Sequence, residues 1–464
     1  MTHVLRLTPK RMREFSRNIC GLGFGLDDSL AAKTLLLLFL LAVISVTASA
    51  AEPIPTKWII AKAYVIPKET APDGEGYFSI VEGHNRRLYI GTHANAVNSW
   101  LVEFNPAAER MKVVVDAHKS IGTDLKGFAA QAKIHTRNNV GKRTGRIYFG
   151  TKQGYPSKDE NRKDYPGGYP MVYAPKTGRT RVYPIPIPHQ GIISVTPDES
   201  RGLAYISTCS DERPIDSTHF LVLNLESGEY RDLMDCRHMY AFIVVDFLGR
   251  AYHPILGGDI ARYDPATGKL AKLKQTIDGR PPSADSYLVG PDSHVINWEI
   301  SPNGKTLYAQ PMIGNGLYAY DLTAEGGPIS GRSLGALLPG AGSTDCRAMC
   351  VGPAGTVWCA VTEKVDGIHL LHLVRYRPGD RAPVDLGAVA IGNPDFTQFT
   401  DNDGNPLPSH GGFTKLKNGK TVTRYVIQGV CEATDGSVYI LALRPYCVLQ
   451  IRASDTGKKS SKNL

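Results

Sequence analysis

The 464-residue sequence predicts an all-β fold: a seven-bladed β-propeller of four-stranded antiparallel blades, with the ring closed by the N-terminal strand. Three observations carry this. First, Val244 to Leu273 reads as four short strands joined by turns at Phe247–Arg250, Gly257–Asp259 and Asp264–Gly268. A sheet that small has two apolar faces and is unstable by itself, so it requires copies of itself. Second, an aromatic residue follows a Gly- or Asn-containing turn at Tyr89, Tyr148, Tyr205, Tyr252, Tyr308, Trp358 and Tyr439, at intervals of 59, 57, 47, 56, 50 and 81 residues. Third, each aromatic is followed by a strand ending in a hairpin signal: Phe104-Asn105-Pro106, Tyr173-Ala174-Pro175, Leu223-Asn224-Leu225, Tyr263-Asp264-Pro265, Tyr320-Asp321-Leu322, Tyr376-Arg377-Pro378 and Gln450-Ile451-Arg452. Two independent signals in register seven times give seven blades.

Residues 1–50 stand apart from this pattern. Lys10, Arg11, Arg13, Arg17 and Lys33 precede the apolar run Leu35 to Val46, and Ala48-Ser49-Ala50 offers small residues for cleavage. This is the pattern of a secretory signal peptide, and the apolar run is short for a membrane span. The expectation is a secreted or periplasmic protein with no stable membrane insertion after cleavage. Without residues 1–50 the chain keeps 47 Lys and Arg against 41 Asp and Glu, a net charge of +6. That balance favours anionic partners such as acidic polysaccharides. No Lys/Arg stripe interleaves with aromatics, which argues against nucleic acid.

Thr56 to Pro67 reads as one strand with no hairpin partner beside it, while the last repeat stops at Arg452 without an outer strand. Pairing Trp58–Val65 with Tyr446–Ile451 would supply the missing strand and remove an open edge. The propeller then runs over 51–452, with blades at 76–118, 126–185, 189–235, 236–275, 292–338, 344–390 and 425–452, and 453–464 is a polar tail. Lys152 to Tyr169 is a large insertion in blade two, and Gly392 to Thr421 a long excursion before blade seven; loops of that length are usually functional or disordered. Of the seven cysteines after the leader, Cys350 and Cys359 flank the Pro353–Thr356 turn and are the best disulfide candidates; two buried thiols are the alternative.

In a propeller, the connections leading into the innermost strands share a face with those joining the second and third strands. The first set carries Gln131, Gln190, Arg237 with His238, His294, Arg347 and Gln428. The second carries His93 with Asn95, Lys152 with Tyr155, Cys209 with Arg213 and His219, His253, Gln310, Lys364, and Arg444 with Tyr446. Gln131, Gln190, Arg237, His294, Arg347 and Gln428 are therefore candidate ligand-binding residues for a partner rich in hydroxyls and carboxylates. His219, Cys236, His238 and His253 fall in adjacent blades three and four; they are a candidate zinc set if blade three's loop folds inward, and otherwise a buried thiol with channel-lining histidines.

Lys133-Ile134-His135-Thr136-Arg137, Gly145 to Thr151, Tyr165-Pro166-Gly167-Gly168, and His219 to Val222 followed by Gly228 to Leu233 resemble secreted seven-bladed propellers that include the ulvan lyases. The resemblance spans blades two to four. It implies β-elimination on a sulfated, uronate-containing polysaccharide by two histidines, a tyrosine and an arginine, with a zinc ion in some members. By position, His135 matches one histidine and Arg231 the arginine. The second histidine's place holds Lys152, and the tyrosine's place, near Thr208-Cys209, holds none. The chemistry needs a cation for the carboxylate, a base for the α-proton and an acid for the leaving oxygen. The roles then fall to Arg231, to His135, and to Lys152 or Tyr155. His135 as a buried structural histidine and Arg231 as an exposed edge arginine are the alternatives. Two functions follow: a lyase-like enzyme on an acidic polysaccharide, or a non-catalytic propeller that binds glycan or protein through the same face.

Overall fold

The computed structural model describes residues 57–210, 217–238, 242–282, 296–311, 314–341, 344–365, 367–393, 413–423 and 429–456, apart from the side chains of Ile296 and Arg347. Residues 1–56, where the secretory signal is expected, the tail from residue 457, His294 and Gln428 lie outside them. After β1 (Trp58–Val65) the blades follow in order. Blade one holds β2 (Ile80–Glu82), β3 (Leu88–Gly91), β4 (Trp100–Asn105) and β5 (Arg110–Asp116). Blade two holds β6 (Asn139–Val140), β7 (Ile147–Gly150), β8 (Pro170–Ala174) and β9 (Arg179–Val182). Blade three holds β10 (Gly191–Asp198), β11 (Leu203–Cys209), β12 (His219–Asn224) and β13 (Tyr230–Asp235). Blade four holds β14 (Val244–Val245), β15 (Ala251–Pro254), β16 (Ile260–Asp264) and β17 (Lys269–Leu273). Next come β18 (Gln275–Ile277) and blade five: β19 (Ile296–Ile300), β20 (Thr306–Pro311), β21 (Gly316–Asp321) and β22 (Ile329–Ala336). Blade six holds β23 (Thr344–Val351), β24 (Val357–Val365), β25 (Ile368–Tyr376) and β26 (Val384–Ile391). The hairpin β27 (Phe413–Lys415) and β28 (Thr421–Thr423) precedes blade seven, which holds β29 (Gly429–Glu432), β30 (Val438–Ala442) and β31 (Cys447–Ile451). The fold is the expected all-β propeller of antiparallel blades.

The seven periodic aromatics occupy the second strand of each blade, and all are buried between neighbouring blades. Their polar tips find partners. Tyr89 donates to Glu103, Tyr148 to Glu199, Tyr252 to Asp246, and the Trp358 indole to Glu432. Burying each ring contributes about 2–3 kcal/mol, provided its polar atom is satisfied. The hairpin signals end the third strands, as read from the sequence.

Closure is made by β1. Lys62 to Val65 pair antiparallel with Gln450 to Cys447, supplying blade seven's outer strand. Beyond that expectation, Trp58 to Ala61 pair in parallel with Ala388 to Ile391 of blade six, so β1 joins two blades into one eight-stranded sheet. Where β26 ends, the Asn393 amide replaces it. Its Oδ1 accepts from Ala63 N at 2.9 Å and its Nδ2 donates to Ala63 O at 2.9 Å. The alternation of β1 buries Ile59, Ala61 and Ala63 in the blade six–seven core. Two further pairings were not anticipated: β18 adds in parallel to the outside of blade five, and the long excursion carries the β27–β28 hairpin.

The proposed Cys350–Cys359 bridge does not form. Cys359 stands opposite Met349 and Cys350 opposite Trp358, so the register puts the two sulfurs on opposite faces of the sheet, and they join different cores. All seven cysteines among the described residues are free and buried. Among the described residues no helix is long and apolar enough to cross a membrane.

Removing residues 51–66 opens two sheet edges at once and is expected to abolish cooperative unfolding of the whole ring; a truncated chain melting at the native temperature would refute the closure. Denatured without reductant, the chain lacking residues 1–50 is expected to expose seven reactive thiols, and a count of five would indicate a disulfide.

Candidate functional site

The site is organised by residues 131–137, the connection leading into blade two. The segment alternates, with Ala132 and Ile134 on one face and Gln131, Lys133, His135 and Arg137 on the other. It is threaded between the second strands of blades one and two. Ile134 N donates to Thr92 O, Ala94 N donates to Ala132 O, and Lys133 and Lys152 exchange both backbone hydrogen bonds. Ile134 drops into the core between the blades, which turns the odd-numbered side chains the other way. Gly91 must lack a side chain here, because a Cβ would run into Ile134 and Ser79.

Each odd-numbered side chain has a distinct position. Gln131 donates to Gly167 O and accepts from the Tyr165 hydroxyl, while its backbone N–H donates to Nε2 of His118. The Lys133 ammonium lies 3.4 Å from the centre of the Tyr155 ring and 5.0 Å from that of Tyr77. His135 lies against two rings, Tyr77, tilted to it with centres 3.9 Å apart, and Phe78, stacked at 5.4 Å. Arg137 reaches across the ring, donates to Trp298 O and pairs with Glu299 of blade five. With Phe78 packed edge-on against Phe242, this closes a floor beneath the cluster.

Blades one and seven complete the mouth. Glu75 accepts from Arg444, from the Tyr77 hydroxyl at 3.3 Å, and lies 3.5 Å from Nδ1 of His93. Tyr77 and Tyr155 share a short hydrogen bond. Tyr155, carried by the blade-two insertion and held by Asn95 accepting from its backbone N–H, is half exposed, whereas Lys133, Lys152, His93 and His135 are buried. Burial pushes His135 well below the ordinary histidine range, with Lys152, Lys133 and His93 adding repulsion. Burial lowers His93 too, against the pull of Glu75. Both imidazoles are therefore neutral at pH 7. Burial works to raise the Glu75 carboxyl, but hydrogen bonds and charge from His93 and Arg444 outweigh it and hold it at about 2.

The structure thus brings His135, Lys152 and Tyr155 together and Gln131 beside them. Arg231 is elsewhere: it lies on the outermost strand β13, exposed, with its guanidinium over Tyr263 and its Nη2 donating to Gly268 O. Gln190 accepts from Thr208, and Arg237 is exposed. His294, Gln428 and the side chain of Arg347 lie outside the described residues. The zinc set does not assemble, and among the described residues no group of three His, Cys, Asp or Glu side chains converges in metal-holding geometry. His219 is bonded to Asp232 and Ser217, and both ring nitrogens of His253 are engaged, by Ser207 and Pro254 O. Cys236 is buried, and burial pushes its thiol up. His238 is buried with its backbone tied to Thr218. Sequence reading missed Glu75, Tyr77, Lys133 and Arg137. The period-two alternation of 131–137 was a signal for the last two; nothing local marked the others.

No protein-family model matches the chain, and no curated protein matches it. Solved structures do. A streptogramin B lyase aligns at TM-score 0.50 and 15% identity over 84% of this chain and 97% of the other. The extracellular domain of a putative hybrid two-component system from B. thetaiotaomicron aligns at 0.45 and 15% over 85% of this chain and 41% of that one. U3-55K aligns at 0.49 and 9% over 84% and 98%. At these identities the likeness is one of fold.

Because the Glu75 carboxyl is held low in the folded chain, its contribution to stability is complete above about pH 4.5 and is lost as pH falls through about 2. Glu75→Gln is expected to flatten the fall of the melting temperature across that window, and an unchanged slope would place the acid sensitivity elsewhere.

Proposed function

We propose that this chain is exported and acts on an acidic polysaccharide by β-elimination at a uronate, in the mouth between blades one and two. The observation that carries the reading is the convergence of two lysines, two neutral imidazoles and a half-exposed phenol at one opening. Lys133 and Lys152 take the part that the resemblance gave to Arg231 and neutralise the uronate carboxylate, which acidifies the adjacent C–H. A neutral imidazole accepts that proton. Tyr155 gives its own to the leaving glycosidic oxygen as the C–O bond breaks and the C=C bond forms. The basic, apolar leader and the +6 balance of the remaining chain support export and an anionic partner.

One observation favours a second reading, glycan binding without chemistry. Lys133, Lys152 and His93 are each no more than 1% exposed, leaving Tyr155 to meet a ligand first. Incubation with a panel of uronate polysaccharides, followed by unsaturated-uronate absorbance, separates the two. The lyase is expected to lose about 10²–10⁴-fold in kcat in Tyr155→Phe and about 10²-fold in Lys152→Met, with the fold intact. Retained binding with no unsaturated product across the panel would select the second reading.

A further inference from the structure

We propose that Tyr77 is a positioning residue for Tyr155: its hydroxyl, turned toward Glu75 in the resting mouth, swings to the Tyr155 oxygen as that oxygen loses its proton. For the reaction this rests on the lyase reading above; for the coupling it rests on the geometry of Glu75, Tyr77 and Tyr155.

The three groups form a chain across the mouth. Tyr155 and Tyr77 share a hydrogen bond, and the Tyr77 hydroxyl donates to Oε2 of Glu75 at 3.3 Å. Proton counting gives that chain a direction. Burial would raise the Glu75 carboxyl, but His93 and Arg444 outweigh it, and an ionised carboxylate only accepts. A phenol carries a single proton. Tyr77 points its own at Glu75, so Tyr155 is the donor in the bond between the two tyrosines. Tyr155 is thereby protonated at rest, as a general acid must be.

Each member of the chain is held in place. Oε1 of Glu75 accepts from Arg444, and Nδ1 of His93 lies 3.5 Å from Oε2. The buried Tyr77 ring lies against His135, with centres 3.9 Å apart. The Tyr155 backbone N–H donates to Oδ1 of Asn95 at 2.7 Å, and the Asn95 N–H to Oδ2 of Asp73 at 2.9 Å, which ties the blade-two insertion to the connection into blade one. Facing the Tyr155 ring are Lys133, 3.4 Å from its centre, and His93, edge-on at 5.7 Å.

In the reaction, the proton beside the uronate carboxylate passes to a neutral imidazole and the C–H electrons form the C=C bond. The C–O electrons leave on the glycosidic oxygen, which takes the Tyr155 proton. The phenolate left behind then accepts from the Tyr77 hydroxyl and faces the Lys133 ammonium, while Glu75 keeps Arg444. The imidazolium proton returns to the phenolate, and Tyr77 turns back to Glu75. A hydrogen bond made to a charged oxygen is worth more than one to a neutral phenol, so Tyr77 favours the step and not the resting state.

Tyr77→Phe in the full chain removes the hydroxyl and keeps the ring. It is expected to lower kcat about 10-fold or more with KM within about twofold, and to move the falling limb of the kcat–pH profile about one unit higher. Fluorine NMR of protein carrying ortho-fluorotyrosine in place of tyrosine reads the coupling without substrate. The resonance absent from Tyr155→Phe should titrate at higher pH in Tyr77→Phe and at lower pH in Glu75→Gln, where the Tyr77 hydroxyl is released. In the double variant the Glu75→Gln shift should shrink, because it acts through Tyr77. If no polysaccharide is cleaved but the resonance moves as stated, the lyase reading fails and the coupling stands. An unchanged titration in Tyr77→Phe, a Glu75→Gln shift just as large without the Tyr77 hydroxyl, or full kcat in Tyr77→Phe beside an inactive Tyr155→Phe overturns the proposal.

Discussion

The structure depends on a strand that belongs to two blades. A closed ring of sheets leaves the outermost strand of each blade as an edge, and an edge is a row of unpaired donors and acceptors. β1 covers two of these edges together, pairing in parallel with β26 through its first half and antiparallel with β31 through its second. The change of partner leaves Ala63 unpaired on one side, and the Asn393 amide fills the gap with one donor and one acceptor. The beginning and end of the propeller thereby become one sheet, and every contact between blades one and seven depends on that seam. Among those contacts is the Arg444–Glu75 pair that anchors the site.

The site follows from a similar economy. Seven residues of extended chain, 131–137, present four polar side chains to one side because Ala132 and Ile134 are claimed by the core on the other. Burial then sets the chemistry. Water would leave the histidines near their ordinary titration range; here desolvation keeps them neutral, with Lys133 repelling charge on both and Lys152 on His135. Glu75 stays ionised because Arg444 and His93 more than offset its own desolvation. Charge thus separates into a cationic pair, a fixed carboxylate and two uncharged imidazoles, gathered side by side. The aromatic rings of Tyr77 and Phe78 give His135 its place, and the Arg137–Glu299 pair crossing from blade two to blade five keeps the floor closed.

The sequence reading failed where contact depends on three-dimensional register. Cys350 and Cys359 look symmetric about their turn, yet a hairpin register one residue off that symmetry sends their side chains to opposite faces. Arg231 matched a motif position but lies on an outermost strand, where it braces Tyr263 and Gly268 of the next blade. His219, Cys236, His238 and His253 are close in sequence across two blades, but each is held by its own neighbours. Inter-blade distance is set by the width of a packed sheet, which spacing along the chain does not encode.

What the amino-acid order alone determined is the repeat: the aromatics, the hairpin signals and the lone strand at Trp58–Val65 specify a closed ring, because each is a local rule of turn chemistry and two-residue alternation applied seven times. It also placed Gln131, His135, Lys152 and Tyr155 on one face. Only tertiary structure decided that Lys133 lies under Tyr155, that Glu75 and Arg444 from opposite ends of the chain meet beside His93, and that both imidazoles are neutral. Those are properties of packing between distant segments and of the desolvation that packing imposes, and neither can be read one residue at a time.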